Sequence, residues 1–138
     1  MLRALGHLGV WPGAYAVGAL LCIVQLSGLQ PAPGRLVAAA ASVLLTAIGA
    51  YLLDRVKLRD AWLDPADVAA QPKRYAFLRP RAATVRIMAL VLLVAGAVVG
   101  LLISRYAPAS ALLAGAGVVA YALKPRSIVP RPKDIVWI

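Results

Sequence analysis

Apolar residues run through this chain in unbroken blocks, without the three-to-four-residue alternation of an amphipathic helix or the two-residue alternation of a half-buried strand. Four blocks lack charge and approach the roughly 20 residues that an α-helix needs to cross a bilayer: residues 11–29, 36–53, 87–104 and 106–123. The pattern predicts an all-α, polytopic membrane helix bundle, a single membrane domain over 1–138 with four transmembrane helices in two hairpins. The first hairpin turns at Gln30–Arg35, where Pro31, Pro33 and Gly34 interrupt the apolar run. The second turns almost directly at Arg105, with Pro108 in the first turn of the following helix, where a missing N–H costs little. Between the hairpins lies a polar loop, 54–86. The first block is too long for a signal-peptide core and no small-x-small cleavage site follows it, so it reads as a span.

Composition sharpens this picture. The chain is 62% hydrophobic and 14% charged, against about 25% charged in a soluble domain. Its formal charge of +10 does not call for nucleic acid, because the basic residues lie between and beyond the apolar blocks, where they meet lipid headgroups. The bilayer is the implied partner. Arg3, the eight basic residues of 54–86 and four in the C-terminal tail fall on one side, and only Arg35 and Arg105 on the other. The positive-inside rule then places both termini and the 54–86 loop in the cytoplasm. Trp11, Tyr15, Tyr51, Tyr106, Tyr121 and Trp137 lie near block ends, as interfacial aromatics do.

Several features bear on chemistry by exclusion. Cys22 stands alone inside the first block, so it forms no internal disulfide and reads as packing. No span carries a carboxylate, and Gln25 is the most polar long side chain within one; a proton-coupled antiporter ordinarily needs an ionisable group at depth. Small residues four apart, Ala14/Gly18, Gly96/Gly100 and Ala111/Gly115, suit close helix approach. Ala50-Tyr51-Leu52-Leu53 and Ala120-Tyr121-Ala122-Leu123, each followed by basic residues, an Asp and a Trp, form a faint internal repeat.

Acidic residues are few and clustered: all five are Asp, and Asp54, Asp60, Asp64 and Asp67 sit in one short window. Asp64-Pro65-Ala66-Asp67 reads as a helix start, with Asp64 at N-cap, Pro65 at N1 and Asp67 at N3, and Pro72 limits that helix to about two turns. Asp54 and Asp60 are left over. On one continuous helix they would lie on different faces, six residues and about 240° apart. They share a face only if the helix breaks between them. Arg55, Lys57 and Arg59 are positioned to neutralise them or to hold phosphate. Carboxylates beside basic side chains also suit a magnesium–diphosphate ligand, since Mg²⁺ takes one or two carboxylates plus substrate phosphates.

A second span running into Asp54-Arg55, then an Asp-bearing basic loop and another hairpin, resembles the first half of a UbiA-type membrane prenyltransferase. The resemblance implies an all-helical bundle of more spans than this chain holds. It implies transfer of a prenyl group from a prenyl diphosphate with Mg²⁺, Asp54 and Asp60 as metal ligands, and Arg55, Lys57 and Arg59 as diphosphate partners. The family's Asn-Asp-x-x-Asp-x-x-x-Asp motif falls here on Ala50, Tyr51, Asp54 and Leu58, so Asp54 carries over and Asp60 stands two residues late. The basic run Arg131-Pro132-Lys133-Asp134 before Ile-Val-Trp-Ile reads as the lead into a further span, and a C-terminal half or partner subunit is expected. A non-enzymatic membrane scaffold or assembly subunit, using the small-residue faces and the basic loop, is the alternative.

Overall fold

In the computed structural model, residues 9–57, 63, 65–107, 109 and 113 are described. Among them every regular element is helical: α1 (Val10–Leu26), α2 (Pro33–Val56), α3 (Pro65–Ala70), α4 (Pro72–Leu78), a 3₁₀ turn at Arg79–Arg81 and α5 (Ala82–Leu101). Helix α2 is central. It packs along most of α5 and, on another side, against α1.

The helix starts follow from local chemistry. Pro33 and Pro72 occupy the first helical turn of α2 and α4, where proline's fixed φ is already helical and its missing N–H would have had no partner. Pro65 opens α3 with Asp67 in its first turn, as the sequence predicts; Asp64 lies outside the described residues. Gly9 precedes α1 at φ 80. It lies against the Tyr51 ring, so only a residue without Cβ meets both demands.

Packing between α2 and α5 depends on residues that lack bulk. Gly49 lies against Ala89 and Leu93, and Gly96 against Ser42 and Thr46. The Ser42 hydroxyl donates a 2.7 Å hydrogen bond to the Gly96 carbonyl. Backbones must approach closely for that bond to form, and van der Waals contact then holds the pair. Ser42→Ala is expected to lower stability in detergent micelles by about 0.5–1 kcal/mol, measured by reversible denaturant unfolding. Of the predicted small-residue pairs, Gly96/Gly100 is buried on α2, whereas nothing approaches Gly18 within 4 Å. Ala111/Gly115 lies outside the described residues, as does the second copy of the faint repeat.

The core is at one end. Leu52, Leu53 and Val56 of α2 meet Leu78 of α4 and Val85 and Ala89 of α5, all buried. Elsewhere the apolar surface points outward: Tyr15, Ile23 and Leu26 on α1 and Ile87, Val91, Val94 and Val98 on α5 are exposed. Two helical runs, Pro33–Val56 and Pro72–Leu101, are long and apolar enough to cross a membrane. In each, 17% of the apolar window is buried within the chain.

Boundaries shift from the predicted spans. The first helix is Val10–Leu26, 17 residues, short of the predicted 11–29 because Ser27 and Gly28 turn the chain. The second gains a turn at its N-terminus, so Arg35 is helical. The third starts five residues earlier than predicted and stops at Leu101, with residues 102–106 turning where a continuous span to 104 is expected. Of the fourth predicted span only Tyr106, Ala107, Ala109 and Leu113 are described. The segment 54–86 is not a simple loop, since it contains α3, α4 and the 3₁₀ turn.

Candidate functional site

Helix α2 ends at the predicted acidic window, and the manner of its ending shapes the site. Val56 is the last helical residue, and Lys57 departs with φ 51, a region in which a non-glycine side chain costs about 1–3 kcal/mol. Arg86 from α5 stabilises this exit. Its Nε donates to the Lys57 carbonyl at 2.8 Å and its Nη2 to the Val56 carbonyl at 3.3 Å. A cation on the last carbonyls of α2 also opposes the negative end of the helix dipole. The helix therefore does break between Asp54 and Asp60, the condition under which the two were expected to be able to share a face. Asp60 and Arg59 lie outside the described residues.

The described site residues converge. Lys57 Nζ donates to Asp54 Oδ1, and Arg55 Nε approaches Asp54 Oδ2 at 3.9 Å. The Asp54 side chain is 30% exposed, so it meets both cations and water. Arg55 also lies 5.2 Å from the centroid of the Tyr51 ring, one turn back on α2, and Tyr75 of α4 lies close enough to act on its charge. The Arg74 guanidinium lies 5.8 Å from the same Tyr51 ring, so one aromatic gathers two cations. Arg55 Nε and Arg74 Nε are buried without a hydrogen-bond partner among the described residues.

Beside this cluster is a cavity of about 400 Å³, within the size range of small-molecule pockets. Arg55, Val56, Leu63, Pro65, Val68, Ala69, Tyr75, Leu78, Arg79 and Ala82 line it. Its walls are mostly apolar, and among the described residues its charged lining groups are two guanidiniums and no carboxylate lines it. Three elements build it: the end of α2, the α3–α4 segment and the start of α5.

Tyr51, Tyr75, Arg74, Arg79 and Arg86 are absent from the sequence-derived candidate site. One signal was available for Tyr75: Tyr75 and Leu78, three apart after Pro72, are the buried face of α4, an i, i+3 pattern. Arg86 carried none, because its role depends on where the end of α2 lies in space.

Asp54 is held by its basic neighbours, the self-neutralising arrangement that Arg55 and Lys57 allow. Among the described residues no group of three or more His, Cys, Asp or Glu is placed to hold a metal. No protein-family model matches this chain, and no characterised protein or solved structure matches it.

Proposed function

We propose that this chain is an integral membrane protein of the UbiA-like type, with four spans in two hairpins and both termini cytoplasmic, that binds a prenyl diphosphate at the cytoplasmic end of its bundle. The outward-facing apolar surface of α1 and α5 supports the membrane reading, since in water it would strongly favour aggregation. The distribution of basic residues supports the orientation. One observation carries the ligand reading: Asp54, Arg55 and Lys57 converge at the end of an apolar helix, beside a cavity with apolar walls. In this reading Asp54 would be a ligand for a Mg²⁺ ion, which would offset the charge of the diphosphate when bound. Asp60 would be the second metal ligand, and Arg55, Lys57 and Arg59 would meet the phosphate charge.

The second reading is a non-enzymatic scaffold or assembly subunit. It is favoured by the same ion pairs, because an Asp54 already neutralised by Lys57 and Arg55 needs no metal. Equilibrium binding of geranylgeranyl diphosphate to the full chain in micelles separates the two. The prenyltransferase-like reading expects binding that requires Mg²⁺, is abolished by EDTA, and falls at least tenfold in Asp54→Asn. Binding that is absent, or indifferent to both Mg²⁺ and Asp54→Asn, sinks it and leaves the scaffold.

A further inference from the structure

The cavity under α3 and α4 differs chemically from the Asp54 cluster. Its described lining has two guanidiniums, Arg55 and Arg79, and no carboxylate. A diphosphate bridged by Mg²⁺ needs an acidic anchor, which none of the described lining residues supplies. A phosphodiester carries one negative charge and needs none. Arg55 Nε is buried, 3.9 Å from Asp54 Oδ2 and without a hydrogen bond among the described residues, and the ion pairs formed among them do not involve Arg79. Val56, Val68, Leu78 and Ala82 supply an apolar wall next to the charged groups. That wall joins the end of a helix long and apolar enough to cross a membrane.

We infer that this cavity is a site for one anionic phospholipid, its phosphodiester between Arg55 and Arg79 and the first part of an acyl chain against Val68 and Leu78. The site goes beyond the prenyl-diphosphate reading: it rests on the membrane assignment but not on Mg²⁺ or Asp54. Paired guanidiniums favour a phosphodiester over a zwitterionic headgroup, whose own ammonium they repel. The segment 65–82 is then a lipid-bound clasp on the end of α2. An occupying lipid would hold it against the bundle and shield Arg55 from water.

Native mass spectrometry of the full chain in nonionic detergent tests this, with phosphatidylglycerol and phosphatidylcholine added in equal amounts in EDTA. One phosphatidylglycerol per chain is expected to be retained, at least tenfold over phosphatidylcholine. Arg79→Ala is expected to remove that preference. Val68→Trp, which fills the cavity and leaves both guanidiniums, is expected to reduce retention of the bound lipid. Circular dichroism and size-exclusion elution check that both variants fold. Equal retention of the two lipids overturns the proposal, as does full retention by both folded variants. Displacement by millimolar inorganic phosphate also overturns it, since the site would then be one for free phosphate. Because EDTA is present throughout, failure here leaves the Mg²⁺-dependent binding of geranylgeranyl diphosphate untouched, and failure there leaves this site standing.

Discussion

Gly96→Leu is expected to destabilise the bundle by about 3 kcal/mol or to prevent α2 and α5 from pairing. A Cβ at Gly96 would sit 2.5 Å from Thr46 Oγ1 and 3.1 Å from both the Ser42 carbonyl oxygen and the Thr46 nitrogen. The threonine hydroxyl can rotate away, but the two backbone atoms can give way only if the helix moves. Moving α2 also stretches the Ser42–Gly96 hydrogen bond, so two favourable terms are lost together. Gly49→Ala meets the same obstacle from the other helix, with the Ala89 carbonyl oxygen at 2.9 Å and the Leu93 nitrogen at 3.1 Å, and is expected to cost about 1–3 kcal/mol. Gly18→Leu is the control: nothing lies within 4 Å, and a change within about 0.5 kcal/mol is expected. Denaturant unfolding in mixed micelles, followed by far-ultraviolet circular dichroism, gives the three values. A neutral Gly96→Leu would mean that the α2–α5 contact is not formed as described.

These glycines also bear on the choice between an enzyme-like bundle and a scaffold. Gly96 and Gly100 are occupied inside the chain by α2. A bulky residue at Gly96 would therefore report on folding before it reported on any partner. A partner helix would need a face still open, such as the one around Gly18.

Arg86→Ala is expected to cost about 3 kcal/mol and to loosen the Asp54 cluster. It removes two charge-assisted hydrogen bonds at the end of α2, each of a kind worth roughly 1.5–3 kcal/mol when a charged group takes part. It leaves part-buried carbonyls to find other donors. Lysine should recover less than half of the loss, because a single ammonium cannot reproduce the fixed two-nitrogen fork that spans both carbonyls. Lys57 then loses the restraint on its unfavourable backbone conformation, and its contact with Asp54 weakens. Stability is read by denaturant unfolding, and the state of Lys57 by the rate of amine labelling located by peptide mass spectrometry. An Arg86→Ala chain with wild-type stability and wild-type labelling at Lys57 would show that the α2 terminus is held by other means.

Much of the architecture was legible in the residues. Long uncharged blocks specify helices, since an apolar run of that length leaves the backbone to satisfy its own hydrogen bonds. The proline at 65 marks a helix start because its φ is fixed before any tertiary contact forms, whereas Pro33, read as part of the turn, opens α2. The all-helical character and the position of the acidic window beyond α2 follow from such local terms. Helix α4 was hidden by composition: Lys73, Arg74 and Gln71 give the stretch a polar look, and the two residues that dock it, Tyr75 and Leu78, are few.

The site depended on space. Sequence alone placed Asp54, Arg55 and Lys57 near one another, and whether the Asp54 carboxylate was open or neutralised turned on where α2 ended. That end is held by Arg86, nearly thirty residues downstream, which no local pattern connects to Val56. The cavity likewise needs three separated segments to meet over Leu78. Local chemistry determined which residues are helical and which are charged. Only the tertiary structure decided which small residues face each other, which cation holds the end of α2 and where an apolar wall meets two guanidiniums, because these are contacts between residues whose sequence separation carries no information about their distance.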